Sequence, residues 1–363
     1  MNRILVTGGG TAGHVNAGVS IIEIFKKKFP AGKVLFVGTK RGIESTLITR
    51  AGFPIKYINS RGLNRERAHI LLLSILLIPI SIIQSLFIVM FFRPEAVVGV
   101  GGFCSGPVLF ASWLLGRPIF ILEQNTVMGV TNRISARFAK KVFTAFPLSK
   151  YNDPKVVVCG NPIRSTISES KRSLAKKINS ESDGKFNIFV FGGSQGSMAI
   201  NKCITSAIPL LNKIKGLNIY HQTGKYDYER VKQEYKTAIF ENEVFDYTHD
   251  IASIYNKADI VISRSGASTI FELISAKLPS ILIPLPTAAD NHQYFNAKYL
   301  KDVGGCDLIE QKEFTPENLS KKIVYYMSDK KMLVDMIKNL EGLSVKGKRP
   351  EEIIIEAIIA NVR

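Results

Sequence analysis

Residues 187–197 read NIFVFGGSQGS, and residues 3–14 read RILVTGGGTAGH. Each is a short β-rich apolar run that ends in a glycine turn and passes into residues at helical spacing. A buried parallel strand that feeds such a turn and then a helix brings unpaired backbone N–H groups and the positive end of the helix dipole to one point. Because the unit occurs twice, the sequence predicts an α/β chain of two doubly wound parallel-sheet (Rossmann-like) domains facing across a cleft. Gly8, Gly10 and Gly13 fit G-x-G-x-x-G, which alone decides little. The second strand, VLFVG at 34–38, runs into Thr39-Lys40-Arg41, so the acidic residue that holds a dinucleotide ribose is missing.

Working outward, further apolar strands are predicted at 96–100, 118–122, 141–144 and 156–159, then at 217–221, 243–247, 259–263 and 280–284. The break between the halves falls near Gly160-Asn161-Pro162, ahead of a polar, lysine-rich stretch at 165–185. A chain of 363 residues has room for two ordinary cores. Lys and Arg number 48 against 30 Asp and Glu, a net charge of +18 that favours an anionic partner. The basic residues are scattered in short groups such as Lys26-Lys27-Lys28, which argues against a dedicated nucleic-acid surface. Cys104, Cys159, Cys203 and Cys306 are widely spaced, with no Cys-x-x-Cys pair, which argues against a zinc site or a disulfide framework and suits a reducing cytoplasm. The opening MNRILVTGGG carries too short an apolar stretch for a secretory signal.

One segment does not look soluble. ILLLSILLIPISIIQSLFIVMFF, residues 70–92, is free of charge and long enough to span a bilayer. Pro79 divides it, and a single crossing would put the glycine turns at 8–13 and 101–106 on opposite sides although they belong to one sheet. The reading is a helix or broken helix pair, partly packed on the sheet and partly seated in the lipid interface, with Ser74, Ser81 and Ser85 as a less apolar stripe. Arg61, Arg65, Arg67 and Arg93 flank it and suit anionic headgroups. The competing reading is a very apolar buried crossover helix.

Four stretches besides the glycine turns stand where strands should end: GVGGFCSGP (99–107), EQNTVMG (123–129), GNPIR (160–164) and SRSGASTIFE (263–272), followed by DNHQYFNA (290–297). Together and in this order they resemble the peptidoglycan branch of glycosyltransferase family 28, whose members move N-acetylglucosamine from its uridine diphosphate donor to the C4 hydroxyl of the muramyl sugar of lipid I, forming lipid II. The resemblance implies the GT-B fold, with 1–163 and a C-terminal helix of about 342–363 forming the acceptor and membrane-associating domain. Residues 164–341 then form the donor domain. It implies a hexosyltransferase that is peripheral at the cytoplasmic face of the cell membrane, without a cofactor or metal. Its partners are UDP-GlcNAc, lipid I, an anionic membrane surface and other cell-wall synthesis proteins. The family's nucleotide-sugar contacts fall on Thr11, Ala12, Gly13, Asn125, Arg164, Ser194, on Ala267, Ser268, Thr269, Ile270, Phe271 and Glu272, and on Gln293, with the uracil read near Thr248. A glycolipid transferase using diacylglycerol and a GT-B sugar-nucleotide epimerase are the alternatives.

The residues can be argued on their own chemistry. Gly266 precedes a helix beginning about Ser268, so the N–H groups of 267–269 can meet a diphosphate, with Ser194 adding a hydroxyl and Arg164 a permanent charge. No Asp-x-Asp element suited to magnesium is present, and such donors can stabilise a departing diphosphate themselves. Glu272 can accept from both ribose hydroxyls or simply complement the helix dipole. His14 is the candidate base, with a ring that only orders the loop as the other reading, and Glu123 or a substrate-assisted route could serve instead. Gln293 and Asn125 suit sugar hydroxyls and an N-acetyl group. Gly101, Gly102, Ser105 and Gly106 could cradle the acceptor's pyrophosphate or form only a tight turn. Two positions depart from the family pattern: Ala12 stands for a glycine, and Leu122 for a histidine.

Overall fold

The computed structural model describes residues 1–62, 68–148, 153–163, 167, 185–343 and 347–362, and of 68–73 the backbone alone. The chain divides into two compact units, Met1–Arg164 with Val345–Arg363, and Ser165–Ser344.

In the first unit, strands β1 (Arg3–Thr7), β2 (Lys33–Gly38), β3 (Ile55–Tyr57), β4 (Ala96–Gly99), β5 (Ile119–Glu123), β6 (Lys141–Thr144) and β7 (Val156–Val158) form a 7-stranded sheet in the order β3-β2-β1-β4-β5-β6-β7. Every pairing is parallel. Parallel pairing forces crossovers, so both faces are covered and the central strands are apolar along nearly their whole length. Ile4 and Val6 face helix α1 (Ala12–Lys28) and the final helix, while Leu5, Val97 and Ile121 face α4 (Ser105–Leu114) and the end of α3 (Ala68–Phe92). The short helices α2 (Glu44–Arg50) and α5 (Val130–Ser135) complete this part.

The second unit repeats the plan. Its strands β8 (Phe186–Phe191), β9 (Leu217–Gln222), β10 (Glu241–Phe245), β11 (Ile260–Ser263), β12 (Ser280–Leu282) and β13 (Asp307–Leu308) pair in parallel in the order β10-β9-β8-β11-β12-β13. Its helices among the described residues include α6 (Met198–Leu211), α7 (Tyr228–Glu234), α8 (Ile251–Lys257), α9 (Ala267–Ala276), α10 (His292–Asp302), α11 (Pro316–Ser328) and α12 (Lys330–Leu343). The last helix, α13 (Pro350–Val362), packs on α1, and Ile354, Ile355 and Ile358 are fully buried there. Burial of that kind contributes about 1.5–3 kcal/mol per side chain. Two doubly wound parallel sheets are thus the architecture that the repeated strand-turn-helix unit predicts.

Several details differ from the sequence reading. β10 begins at Glu241 rather than 243, and β3 and β13 escape an apolar-run criterion altogether, because they are edge or near-edge strands too short or too polar to stand out. Pro79 does not break the apolar run: α3 continues through it, forgoing one intrahelical bond. The serine stripe, whose direction the spacing leaves open, faces inward. Ser74, Ser81 and Ser85 are buried and donate to carbonyls, Ser74 to Gly62 (3.0 Å), Ser81 to Asn59 (2.5 Å) and Leu77 (2.7 Å), and Ser85 to Ser81 (2.6 Å). Ile75, Leu76, Ile83, Phe87, Met90 and Phe91 are exposed, so the helix is apolar on its outer side. Ser74–Phe92 is long and apolar enough to cross a membrane, yet the strands on either side of α3 lie in one sheet. Arg61 and Arg93 are exposed near its ends; Arg65 and Arg67 lie outside the described residues.

Candidate functional site

In each sheet the strand order reverses between the first strand and the fourth, β1 beside β4 and β8 beside β11. Crevices at such switch points, beyond the carboxyl ends of the strands, are where open α/β sheets bind ligands. Both glycine turns and two of the other singled-out stretches fall there.

In the first unit, the loop after β1 lies against the loop after β4. The Gly9 N–H donates to Gly101 O at 3.2 Å, and a Cβ on Gly102 would overlap Gly9 O. Gly101 and Gly102 have φ of +102° and +87°, which side chains resist. Thr11 caps α1, its hydroxyl accepting the His14 N–H at 3.4 Å. Ala12 is the first helical residue, where its methyl costs no φ freedom. His14 Nδ1 lies 3.1 Å from both Gly9 O and Thr11 Oγ1. A carbonyl can only accept, so Nδ1 carries a proton, and in the neutral ring Nε2 then keeps the lone pair. The ring stands against Gly101, where an added Cβ would come within 2.9 Å of Nε2 and Cδ2.

Glu123 is 2% exposed and its carboxylate is committed. Oε1 accepts from Asn125 N (2.9 Å) and Nδ2 (3.3 Å); Oε2 accepts from Gly129 N (3.0 Å) and Asn132 Nδ2 (2.9 Å). It braces the 123–129 loop, which argues against its use as the alternative base. Gln124 ties this loop to the first through Gly13 O at 3.4 Å. Ser105 is fully buried and returns its hydroxyl to Gly102 O at 2.7 Å, so among the residues assigned to an acceptor pyrophosphate it braces the turn rather than presenting a donor. Gly106 sits in the first turn of α4, and Leu122 is a fully buried core residue of β5.

In the second unit, Ser194 is exposed at the crest of the loop after β8. That loop rests backbone to backbone on 223–224, and a Cβ on Gly196 would overlap Thr223 O. Ser197 caps α6. Gln222 links the loop to the next one, donating to Gly193 O at 3.2 Å and accepting the Thr248 N–H at 3.1 Å. Thr248 is left with its carbonyl as the backbone group it can offer a base. α9 starts at Ala267 behind Gly266, whose extended backbone (φ −62°, ψ 147°) leaves the N–H groups of 267–269 at the helix mouth without intrahelical partners. Ser268 and Thr269 are half-buried there, while Ile270 is fully buried and can contribute backbone only. Phe271 is half-buried on the same turn. Glu272 is 6% exposed, and Tyr255 donates its hydroxyl to Oε2 at 3.0 Å, fixing the carboxylate. Gln293 accepts the Leu285 N–H at 3.0 Å through Oε1, which fixes the orientation of its amide; it follows Asp290 and Asn291, both at positive φ. Arg164 lies outside the described residues.

Three participants were not legible in the sequence as such. Arg264 is buried between the loops, its guanidinium donating to Ile283 O, Pro284 O, Ser197 Oγ (2.8 Å) and Gln311 Oε1 (2.7 Å), all uncharged acceptors. Burial lowers its pKa to about 10. Gln222 and Tyr255 act through partners far away in the chain, and only Arg264 stands inside a stretch that the spacing marks. His221, by contrast, is structural: fully buried, bonded to Tyr235 and Asn201, and lowered to about 3 by desolvation.

The glycosyltransferase family 28 N-terminal domain model matches residues 4–144, and the C-terminal domain model of the same family matches 187–349. A UDP-N-acetylglucosamine–N-acetylmuramyl-(pentapeptide) pyrophosphoryl-undecaprenol N-acetylglucosamine transferase of Anaeromyxobacter sp. (strain Fw109-5) is 42% identical over 324 residues, 88% of this chain and 84% of that protein. The protein of the same name from Myxococcus xanthus (strain DK1622) is 36% identical over 99% of this chain and 94% of its own length. Among solved structures, Acinetobacter baumannii MurG superposes with a TM-score of 0.79 at 28% identity, covering 99% of this chain and 100% of that one. The fold class is accordingly that of the GT-B glycosyltransferases.

Proposed function

The chain belongs to glycosyltransferase family 28, and from that premise we propose that it moves N-acetylglucosamine from UDP-GlcNAc to the C4 hydroxyl of the muramyl sugar of lipid I, forming lipid II with inversion. The observation that carries this reading is the likeness, over most of the chain, to transferases bearing that name.

The geometry within each unit supports the chemistry that this transfer requires. His14 is the general base: with Nδ1–H directed at Gly9 O, Nε2 takes the proton as the acceptor hydroxyl attacks the anomeric carbon. The backbone N–H groups of 267–269 and the Ser194 hydroxyl hold the donor diphosphate and stabilise the charge that grows on it as the glycosidic bond breaks, together with Arg164. Glu272, steadied by Tyr255, accepts from the ribose hydroxyls, and the Thr248 carbonyl reads the uracil. The resemblance assigns sugar contacts to Asn125 and the Thr11–Gly13 turn in the first unit and to Gln293 in the second. Gly101, Gly102 and the first turn of α4 at Gly106 meet the acceptor's pyrophosphate. The outer faces of α3 and α4, with Phe87, Phe91, Trp113 and Leu114 exposed, seat the first unit on the cytoplasmic face of the membrane, where a polyprenyl-linked acceptor resides.

The test is a transfer assay with labelled UDP-GlcNAc and synthetic lipid I. His14→Ala lowers kcat by about 100-fold or more, the ordinary worth of a general base, while calorimetric donor affinity stays within about twofold. Donor turnover without lipid I would favour the epimerase reading, and transfer to diacylglycerol in preference to lipid I the glycolipid reading.

A further inference from the structure

Glu44 is a fully buried carboxylate in the first turn of α2 that the proposed chemistry does not use. Its Oε1 accepts from Thr39 N at 2.9 Å and Thr39 Oγ1 at 2.7 Å, and its Oε2 accepts from Gly10 N at 3.3 Å. The glycine loop is shaped around it, since a Cβ on Gly9 would fall 2.6 Å from the carboxyl carbon. Gly10 N and Gly9 O belong to one peptide unit. In a planar trans peptide the N–H and the C=O point to opposite sides. The side that faces Glu44 is therefore the N–H, and the side that faces His14 is the C=O, which accepts from Nδ1 at 3.1 Å.

We propose that Glu44 is a positioning residue for His14: by holding the Gly9–Gly10 peptide in one orientation it keeps an acceptor opposite Nδ1, and so keeps the lone pair on Nε2. Reversal of that peptide would set an N–H against Nδ1 and favour the opposite tautomer, whose Nε2 already bears a proton and cannot take one from a hydroxyl. Gly10, at φ +83°, has the backbone freedom that such a reversal needs, so the carboxylate supplies the restraint. Glutamine cannot replace it. Both oxygens accept from backbone N–H groups, and an amide placed either way sets its NH2 against one of them.

The catalytic consequence rests on the reading of His14 as base; the positional one does not. Glu44→Gln lowers kcat about 10- to 100-fold with the donor KM within about twofold, and in the His14→Ala background it lowers kcat by less than twofold further. The 15N spectrum of the His14 imidazole, a protonated Nδ1 in the native chain, moves toward protonated Nε2 in Glu44→Gln. Thr39→Val, which removes one donor and leaves the charge, gives the same spectral shift to a smaller extent and serves if Glu44→Gln does not fold. An unchanged His14 spectrum in both variants overturns the proposal, as does an equal loss of kcat with and without His14. Full activity of His14→Ala alone overturns the base reading, and the spectrum then still decides the positional role.

Discussion

Replacing Gly101 by alanine should separate backbone strain from catalytic geometry. Two penalties arise at this position. The φ of +102° lies where an L-residue is strained, at about 1–3 kcal/mol. The new methyl also arrives 2.9 Å from His14 Nε2 and Cδ2, so the ring must retreat by about 0.5 Å to regain van der Waals contact. Its Nδ1 is bonded to Gly9 O and Thr11 Oγ1, and a retreat stretches both bonds. Since a misplacement of about 1 Å at a reacting group can cost about 100-fold, Gly101→Ala should lower kcat by about 10- to 100-fold. Gly52→Ala is the control. Gly52 sits at φ +75° with nothing within 4 Å of its added Cβ, so it carries the strain without the collision. Both variants should lose stability, Gly101→Ala at least as much as Gly52→Ala, in urea titrations followed by the fluorescence of Trp113, the single tryptophan, which lies in the same unit. Only Gly101→Ala should lose transfer in the labelled-donor assay. Wild-type kcat in Gly101→Ala, beside an inactive His14→Ala, would refute the reasoning.

Two further expectations concern the membrane face and the second core. Phe87→Ser with Phe91→Ser removes two half-exposed or more exposed rings from α3, each worth about 1.5–3 kcal/mol when buried in lipid, so partition onto anionic vesicles should fall by about 100-fold or more with the melting profile little changed; undiminished flotation with vesicles would count against the lipid seat. For His221 the folded pKa of about 3 lies below the unfolded value near 6.5, so its contribution to stability is complete above about pH 6.5 and is lost as pH falls toward 3. Between pH 7 and pH 5 that amounts to about 2 kcal/mol, read as the difference between wild type and His221→Gln in hydrogen exchange of the β9 amides; parallel decline in the two proteins would sink it.

The central strands and their glycine turns were legible because a parallel strand covered on both faces must be apolar along its whole length, and because a turn that brings backbone to backbone admits only glycine. VLFVG and NIFVF satisfy the first condition, Gly102 and Gly196 the second. β3 and β13 were not, since an edge or near-edge strand of two or three residues bears no such pressure. The serines of α3 showed their spacing but not their direction. Periodicity assigns the polar stripe to water, and here that stripe is spent on carbonyls inside the protein. In the site, motif residues stood out while their supports did not. Glu44 and Tyr255 take their meaning from Gly10 and Glu272, partners 34 and 17 positions away, and pairings across such separations leave no local pattern.

The closing helix α13 gives its isoleucines to the core built around β1, whereas everything from about 165 to 344 belongs to the other unit. On the ribosome, synthesis therefore runs in an awkward order. The lobe begun first is the one finished last, and it waits with the groove meant for Ile354, Ile355 and Ile358 open while an entire second lobe is made and folds. During that interval an uncapped core and the greasy flank of α3 are exposed together, so the nascent chain has a reason to reach the bilayer, or a chaperone, before it is released.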